Sequence, residues 1–259
     1  MPNAKAQIGV VVPTLNSAVT LPWTLCSLRN QRDIDVEILV VDSGSRDGTL
    51  DICKFWDVPT IYVPPGNMYR AINEGLRRME TEWVTYLNSD DMVYPHSYAR
   101  MLTFGSQESA ALVYGDCDFL DHEGRFLYVV KTSPPSKVAG MFRWGRVGFL
   151  QPAAIFRRNV LLDLGGFDER YRYISDYDFF YRLTSAGHRL AKMQPPSVAA
   201  FRVHASQISQ REIGTMKAEL KASRKALNVK ATPRSLLDVL SWRLQNSPIY
   251  LWRLMKQRP

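Results

Sequence analysis

The chain has 259 residues, 46% of them hydrophobic and 22% charged, with 15 glycines and 15 prolines. That length suits one large domain or one with a small appendage, and the composition excludes a disordered, collagen-like or disulfide-framework protein. Of the 33 basic and 25 acidic residues, 11 and 3 lie in 211–259, so 22 of each balance in residues 1–210 and the tail carries the whole net charge of +8.

Residues 1–7 contain one lysine and lead directly into the apolar run IGVVVP, which argues against a cleaved signal peptide. Residues 8–12, 36–41, 59–63 and 83–87 are short, rich in Val and Ile, and bounded by turn residues, which predicts strands. Between them, 19–30, 49–56 and 69–80 have helical composition. The alternation predicts βαβ units and an α/β fold: a mixed, mainly parallel sheet covered by helices on both faces. Past residues 113–119 the pattern is mixed, with a hairpin turn at Asp121-His122-Glu123-Gly124. Cys26, Cys53 and Cys117 form no CxxC pair, which predicts reduced thiols of a cytoplasmic protein.

In the tail, Thr232-Pro233 reads as an N-cap followed by proline in the first turn. Leu236, Leu237, Leu240 and Leu244 then recur on one helical face. Pro248 restarts the chain into Ile249, Tyr250, Leu251, Trp252, Leu254 and Met255, interleaved with Arg253, Lys256 and Arg258. Two readings stay open: packing on the main domain, or a peripheral contact with an anionic membrane surface. No run is long enough to span a bilayer, and no nucleic-acid-binding module is present, so nucleic acid is not an expected partner.

Open α/β sheets bind ligands beyond the carboxyl ends of their strands. The first strand is followed by Thr14 and Asn16, the second by Asp42, Ser43 and Asp47, and the fourth by Asn88, Asp90 and Asp91. Adjacent carboxylates repel unless a cation neutralises them, and Mg²⁺ or Mn²⁺ commonly binds through one or two carboxylates plus substrate phosphate. The competing reading of Asp90-Asp91 is a helix N-terminus stabilised by the macrodipole.

VVVPTLN, VVDSGSRDGT, YLNSDD and GGFDERYRYISDYDFFYRL, in that order, resemble the family 2 glycosyltransferases of the GT-A fold across residues 7–205. The resemblance implies transfer of a sugar from a nucleotide-diphosphate sugar (UDP-, dTDP- or GDP-linked) to a glycan or lipid-linked acceptor, with inversion at the anomeric carbon. Thr14 and Asn16 then fall at the nucleotide pocket, Asp42 on the base, with Ser43 and Asp47 in the same loop. Asn73 and Gly75 match an N-x-G element, and Asn88 falls among the nucleotide-sugar contacts. Asp90 and Asp91 match a DXD-type pair with one facing the ribose and the other the metal, and Asp90, Asp91 and His204 are the candidate ligands of a divalent cation. Asp176 matches the general base; Gln151, Trp144 and Tyr173 border the acceptor. The implied organisation is a transferase domain at 1–205 and a basic helical tail at 206–259.

The chain departs from the family pattern in having Asn88 for an acid, Ser175 for a glutamate and Ile72 for a basic residue. Ser175 and Asp178 fit a capping box, which would leave Asp176 free but charge-stabilised by the helix dipole, hence a weak base that takes a proton late. Arg202 is a candidate phosphate ligand. A sugar nucleotidyltransferase would need a glycine-rich loop after the first strand, and a dehydrogenase a GxGxxG; PTLNSAV is neither. A non-catalytic nucleotide- or glycan-binding relative is the alternative suggested by Asn88 and Ser175. The favoured expectation is a metal-dependent inverting transferase of cell-surface polysaccharide or glycolipid synthesis.

Overall fold

A computed structural model of the chain describes residues 7–204 and 212–250. The N-terminal part alternates as predicted: β1 (Ile8–Thr14), α1 (Leu21–Arg29), β2 (Val36–Asp42), α2 (Thr49–Phe55), β3 (Thr60–Tyr62), α3 (Met68–Arg78) and β4 (Trp83–Tyr86). There follow β5 (Met92–Val93), α4 (Ser97–Gln107), β6 (Leu112–Tyr114), β7 (Cys117–Leu120), β8 (Phe126–Val130) and α5 (Pro135–Arg143). The remainder is β9 (Ala154–Arg157), α6 (Arg158–Asp163), α7 (Ser175–Ser185), β10 (Leu190–Lys192), β11 (Ala199–Arg202), α8 (Ile213–Ala226) and α9 (Pro233–Gln245).

Seven strands form the main sheet in the order β10-β6-β9-β4-β1-β2-β3, parallel except for β9 against β4 and β6. Every residue of β1 is buried, because helices cover both faces. Val11 joins one apolar core with α3 and α7, while Val10 and Val12 join the other with α1. Gly75 explains how closely α3 approaches: a Cβ there would lie 2.6 Å from Val11 and 3.0 Å from Val41.

The single apolar run at 113–119 is divided between two sheets. β6 stays in the main sheet, whereas β7 enters a four-stranded sheet ordered β5-β11-β7-β8. The β7–β8 hairpin closes at the expected turn, where Gly124 has φ +86°. In both sheets the useful edge is the same, since β9 runs opposite to β4 and brings residues 151–154 to the carboxyl rim.

The tail packs on the domain, but not through the predicted face. Thr232 caps α9 and exchanges side-chain bonds with Ser235, as a capping box does. Ser235 accepts the Trp144 indole N–H at 2.8 Å, Lys137 Nζ donates to Ser241 at 2.7 Å, and Trp242 and Asn246 each donate to the Lys131 carbonyl at 2.9 Å. The inward face is therefore Ser235, Val239, Trp242 and Asn246. The leucine stripe points to solvent, from 38% exposed at Leu236 to 77% at Leu244. Specific hydrogen bonds to α5 and to the end of β8 orient this helix, and hydrophobic periodicity carries no record of them. The predicted stretch after residue 250 lies outside the described residues. Among the described residues no helix is long and apolar enough to cross a membrane.

Candidate active site

The parallel register places Thr14 and Asp42 on the same last rung of β1 and β2. Both are buried, and the Ser43 N–H donates to the Thr14 carbonyl at 2.9 Å. The Asp42 carboxylate organises its own loop, accepting from the N–H groups of Gly44 (2.7 Å) and Ser45 (2.9 Å) and from the Ser45 hydroxyl (2.5 Å). Asn16 joins the two loops: its N–H donates to Ser45 Oγ at 2.8 Å and its Oδ1 accepts the Arg46 N–H at 2.9 Å. Asp47 is a second clip, accepting from Ala18 N–H at 3.0 Å and from the Thr49 hydroxyl at 2.5 Å. Partial desolvation opposes ionisation there, but these hydrogen bonds outweigh it and hold Asp47 below the ordinary aspartate range.

Ser17, in the loop after β1, meets Ser89 hydroxyl to hydroxyl at 2.8 Å, which carries the rim to the fourth strand. No helix begins at Asp90-Asp91; the chain turns there and enters β5, so the helix N-terminus reading fails. Asp91 is 1% exposed, with one oxygen accepting the Arg202 N–H at 3.2 Å and the other the Asn88 amide at 3.2 Å. Burial first, and the neighbouring Asp90 charge second, push its carboxyl well above the usual range. Asp90 Oδ2 lies 2.8 Å from His204 Nε2. The Arg202 guanidinium reaches the Asp90 and His122 carbonyls at 3.3 and 3.0 Å and is buried, so it braces the turn.

Asn88 Oδ1 is buried with no hydrogen-bond partner. An orphaned acceptor beside two aspartates and an imidazole fits a hard or borderline divalent cation. Among the described residues no cluster of three or more His, Cys, Asp or Glu side chains could hold an ion unaided. The donor set thus suits an ion completed by phosphate oxygens.

Asp176 is the second residue of α7. The predicted capping box is absent: Ile174 is the N-cap, and Ser175 Oγ is buried without a partner. Asp178 instead pairs with Arg182 at 2.7 Å and accepts the Ser223 hydroxyl of α8 at 3.1 Å. A charge-assisted bond to arginine outcompetes the weaker bond to a serine. Asp176 is half-buried and accepts the Tyr69 hydroxyl at 3.1 Å and the Tyr177 N–H at 2.8 Å, both on Oδ1. The expected depression of its pKa is also reversed. Desolvation exceeds the hydrogen bonds that favour the anion, so the carboxyl sits above its ordinary value of 3.8.

Tyr86, at the end of β4, ties the two halves together. Burial raises its hydroxyl pKa first, followed by the charges of Tyr69, Asp176 and Asp91. Both carboxylates therefore lie close enough to the Tyr86 hydroxyl to act on its ionisation. Gln151 lies beside Tyr86, donating through Nε2 to its carbonyl while Gln151 Oε1 is buried and unpartnered. Tyr173, half-buried, precedes Asp176; its carbonyl lies 3.4 Å from the Tyr69 hydroxyl.

Two predicted residues lie off this rim. Asn73 is buried behind it, donating to Phe167 O (2.7 Å) and Glu169 (2.9 Å) and accepting the Phe167 N–H (2.9 Å). It holds the loop before α7, where Gly166 has φ +74° and a Cβ would fall 2.8 Å from Asn73 Oδ1. Trp144 is committed to Ser235 of α9. Residues that sequence reasoning missed are Tyr69, Tyr86 and Glu219 of α8, which receives the N–H groups of Arg172 and Tyr173 at 2.9 Å each. Tyr86 sat in a strand already flagged; nothing in the sequence marked Tyr69 or Glu219.

A wound sheet with an acidic rim, paired aspartates after its fourth strand and a further carboxylate on α7 make up a candidate glycosyltransferase site. The model of glycosyl transferase family 2 matches residues 9–165, and this chain belongs to that family. It is 30% identical over 200 residues to the PGL/p-HBAD biosynthesis glycosyltransferase of Mycobacterium tuberculosis, covering 70% of this chain and 71% of that protein. The TarS 1–349 structure from S. aureus in complex with UDP-GlcNAc superposes with a TM-score of 0.67 at 19% identity, covering 92% of this chain and 73% of that one. The chain spans 43% of a longer TarS chain. The mannosyltransferase PcManGT from Pyrobaculum calidifontis, in complex with GDP-Man and Mn²⁺, gives 0.64 at 21% identity, covering 93% and 70%. These structures share the GT-A fold.

Proposed function

We propose that this glycosyltransferase takes its sugar from a nucleotide-diphosphate donor and transfers it, with inversion, to an acceptor hydroxyl of a glycolipid or cell-surface polysaccharide. The observation that carries this reading is the turn after β4, where Asp90 meets His204 at 2.8 Å, Asn88 meets Asp91 at 3.2 Å and Asn88 Oδ1 is buried without a partner. The donor site comprises Thr14, Asn16, Asp42 and Ser43, with Asp47 fixing the loop they share; Asn88 and Asp90 continue it toward the diphosphate. Asn73 contributes as a positioning residue through the loop before α7.

Asp90, Asp91 and His204, with Asn88 Oδ1, are the groups that would hold a divalent cation, Mn²⁺ or Mg²⁺. Such an ion, when bound, supplies positive charge against the diphosphate leaving group. Asp176 accepts the acceptor's proton through Oδ2, since both of its hydrogen bonds fall on Oδ1. Its raised pKa makes it a stronger base than an exposed aspartate, while Tyr69 fixes its orientation. Gln151 and Tyr173 border the acceptor. Residues 1–205 form the transferase unit, and 206–259 the helical extension whose basic charge and outward leucines favour a peripheral position on the cytoplasmic face of a membrane. Support for a UDP- or GDP-linked donor comes from the ligands named for TarS and PcManGT, and for a glycolipid acceptor from the mycobacterial relative's name.

The test is a screen of UDP-, dTDP- and GDP-sugars for thermal stabilisation with and without Mn²⁺, followed by NMR of the product. Cation-dependent stabilisation by one donor and an inverted anomeric configuration are expected. A retained configuration overturns the base assignment, and no stabilisation by any donor overturns the donor reading.

A further inference from the structure

Close to this site lies a cavity of about 280 Å³, walled by Phe119, Tyr128, Met141, Phe149, Leu150 and Trp242 among others. Its position is defined by two short stretches of chain. Leu150 in its wall is followed by Gln151, which is bonded to the Tyr86 carbonyl at the end of β4. Phe119 stacks at 4.9 Å on Phe201, and the next residue, Arg202, donates its N–H to Asp91. One residue of extended chain covers about 3.5 Å, so the cavity adjoins the site on both routes.

The chemistry of the wall selects its occupant. Most of the lining is apolar, and two of its polar members are already committed: Thr132 donates through N–H and hydroxyl to Asp116 at 2.8 and 2.9 Å, and Asn246 exchanges bonds with Lys131 N and O at 2.8 and 2.9 Å. A sugar there would lose water hydrogen bonds and gain few in return, whereas an apolar group would fill an aromatic slot. The volume is close to twice that of the ~150 Å³ engineered cavity known to take benzene.

We propose that this cavity receives the apolar portion of the acceptor, an alkyl or aromatic group carried next to the hydroxyl that is glycosylated. The inference rests on the transferase reading and adds the class of acceptor. The two walls come from different parts of the chain. The tail supplies Trp242, Asn246, Ile249 and Tyr250, and the main domain supplies the other lining residues, so the extension completes the acceptor site as well as bracing it.

The experiment uses the full chain with n-alkyl glucosides of increasing length and, in a parallel arm, phenyl and naphthyl glucosides. Binding is read by competition against a fluorescent apolar probe, and donor binding is read separately by thermal shift. Affinity is expected to rise on the order of fourfold per buried methylene and then plateau once the cavity is full. The arm reaching the higher plateau identifies the group as alkyl or aromatic. Val147 and Tyr250 also line the cavity; Val147→Trp, which adds bulk to its wall, and Tyr250→Ala, which removes a ring from it, are expected to flatten the series with the donor shift intact. The paired change Leu237→Glu/Leu244→Glu on the outer face of α9 is expected to leave the series unchanged. A flat wild-type series beside an intact donor shift overturns the proposal and spares the transferase reading. So does a series abolished by the outer-face pair but not by Val147→Trp. Loss of the donor shift in the wild type overturns the transferase reading instead.

Discussion

Asp176 shows how little an isolated carboxylate determines about its own chemistry. A helix N-terminus lowers an aspartate pKa, yet here desolvation outweighs the hydrogen bonds from Tyr69 and Tyr177 and reverses the sign. The base must be ionised to act, so activity falls as pH drops through a value above 3.8, and the acid limb lies higher than for an exposed aspartate. A kcat/KM profile against pH measures it. The same shift acts on stability in the opposite direction. Between the unfolded and the raised folded pKa the native state binds the extra proton, so stability declines as pH rises across that window. Asp176→Asn removes the titrating group, so its neutral-pH Tm is expected to equal or exceed that of the wild type, while transfer falls by about 10² to 10⁴. A variant that keeps full activity would return Asp176 to a structural role.

At the scale of elements, the site depends on how α3 is seated between the sheet and the loop before α7. Gly75 lets the helix lie against Val11 and Val41, and Asn73, two residues earlier, grips Phe167 and Glu169. Gly75→Ala forces a methyl into those valines and is expected to cost about 1–3 kcal/mol by overpacking, measured by denaturant unfolding. Asn73→Ala leaves the Phe167 N–H and carbonyl without their partner and loosens Gly166. Its expected signature is lost activity with nucleotide binding kept, because the donor loops after β1 and β2 do not touch this residue. Equal loss of both would place Asn73 on the nucleotide itself.

For the molecule as a whole, the tail combines an inner polar seam with an outer apolar stripe. Trp242 and Asn246 anchor α9 through the Lys131 carbonyl, and Glu219 of α8 holds the segment leading to Asp176. Leu237 and Leu244 remain 65% and 77% exposed on a region with 11 basic and 3 acidic residues. Apolar side chains flanked by Lys and Arg favour an anionic interface, and salt weakens the charge contribution. Flotation with phosphatidylglycerol-containing vesicles is expected for the wild type and reduced for Leu237→Glu/Leu244→Glu. Equal flotation of both would exclude this face as the contact.

The sequence alone determined the alternating core and the rim. Buried parallel strands need continuous apolar runs, and the ligand edge of such a sheet follows from chain direction, so Thr14, Asp42, Asp90 and Asp91 could be read in order. It also specified the cap at Thr232, a local bond between near neighbours. Tertiary structure decided what depended on residues far apart in the chain. Asp178 turned from Ser175 to Arg182 and Ser223, the leucines of α9 faced outward because Ser235, Trp242 and Asn246 found partners, and Trp144 joined the tail. Most decisively, desolvation raises the Asp176 carboxyl against the opposing hydrogen bond from Tyr69, 107 positions away, and such an environment exists only after the sheet has closed around it.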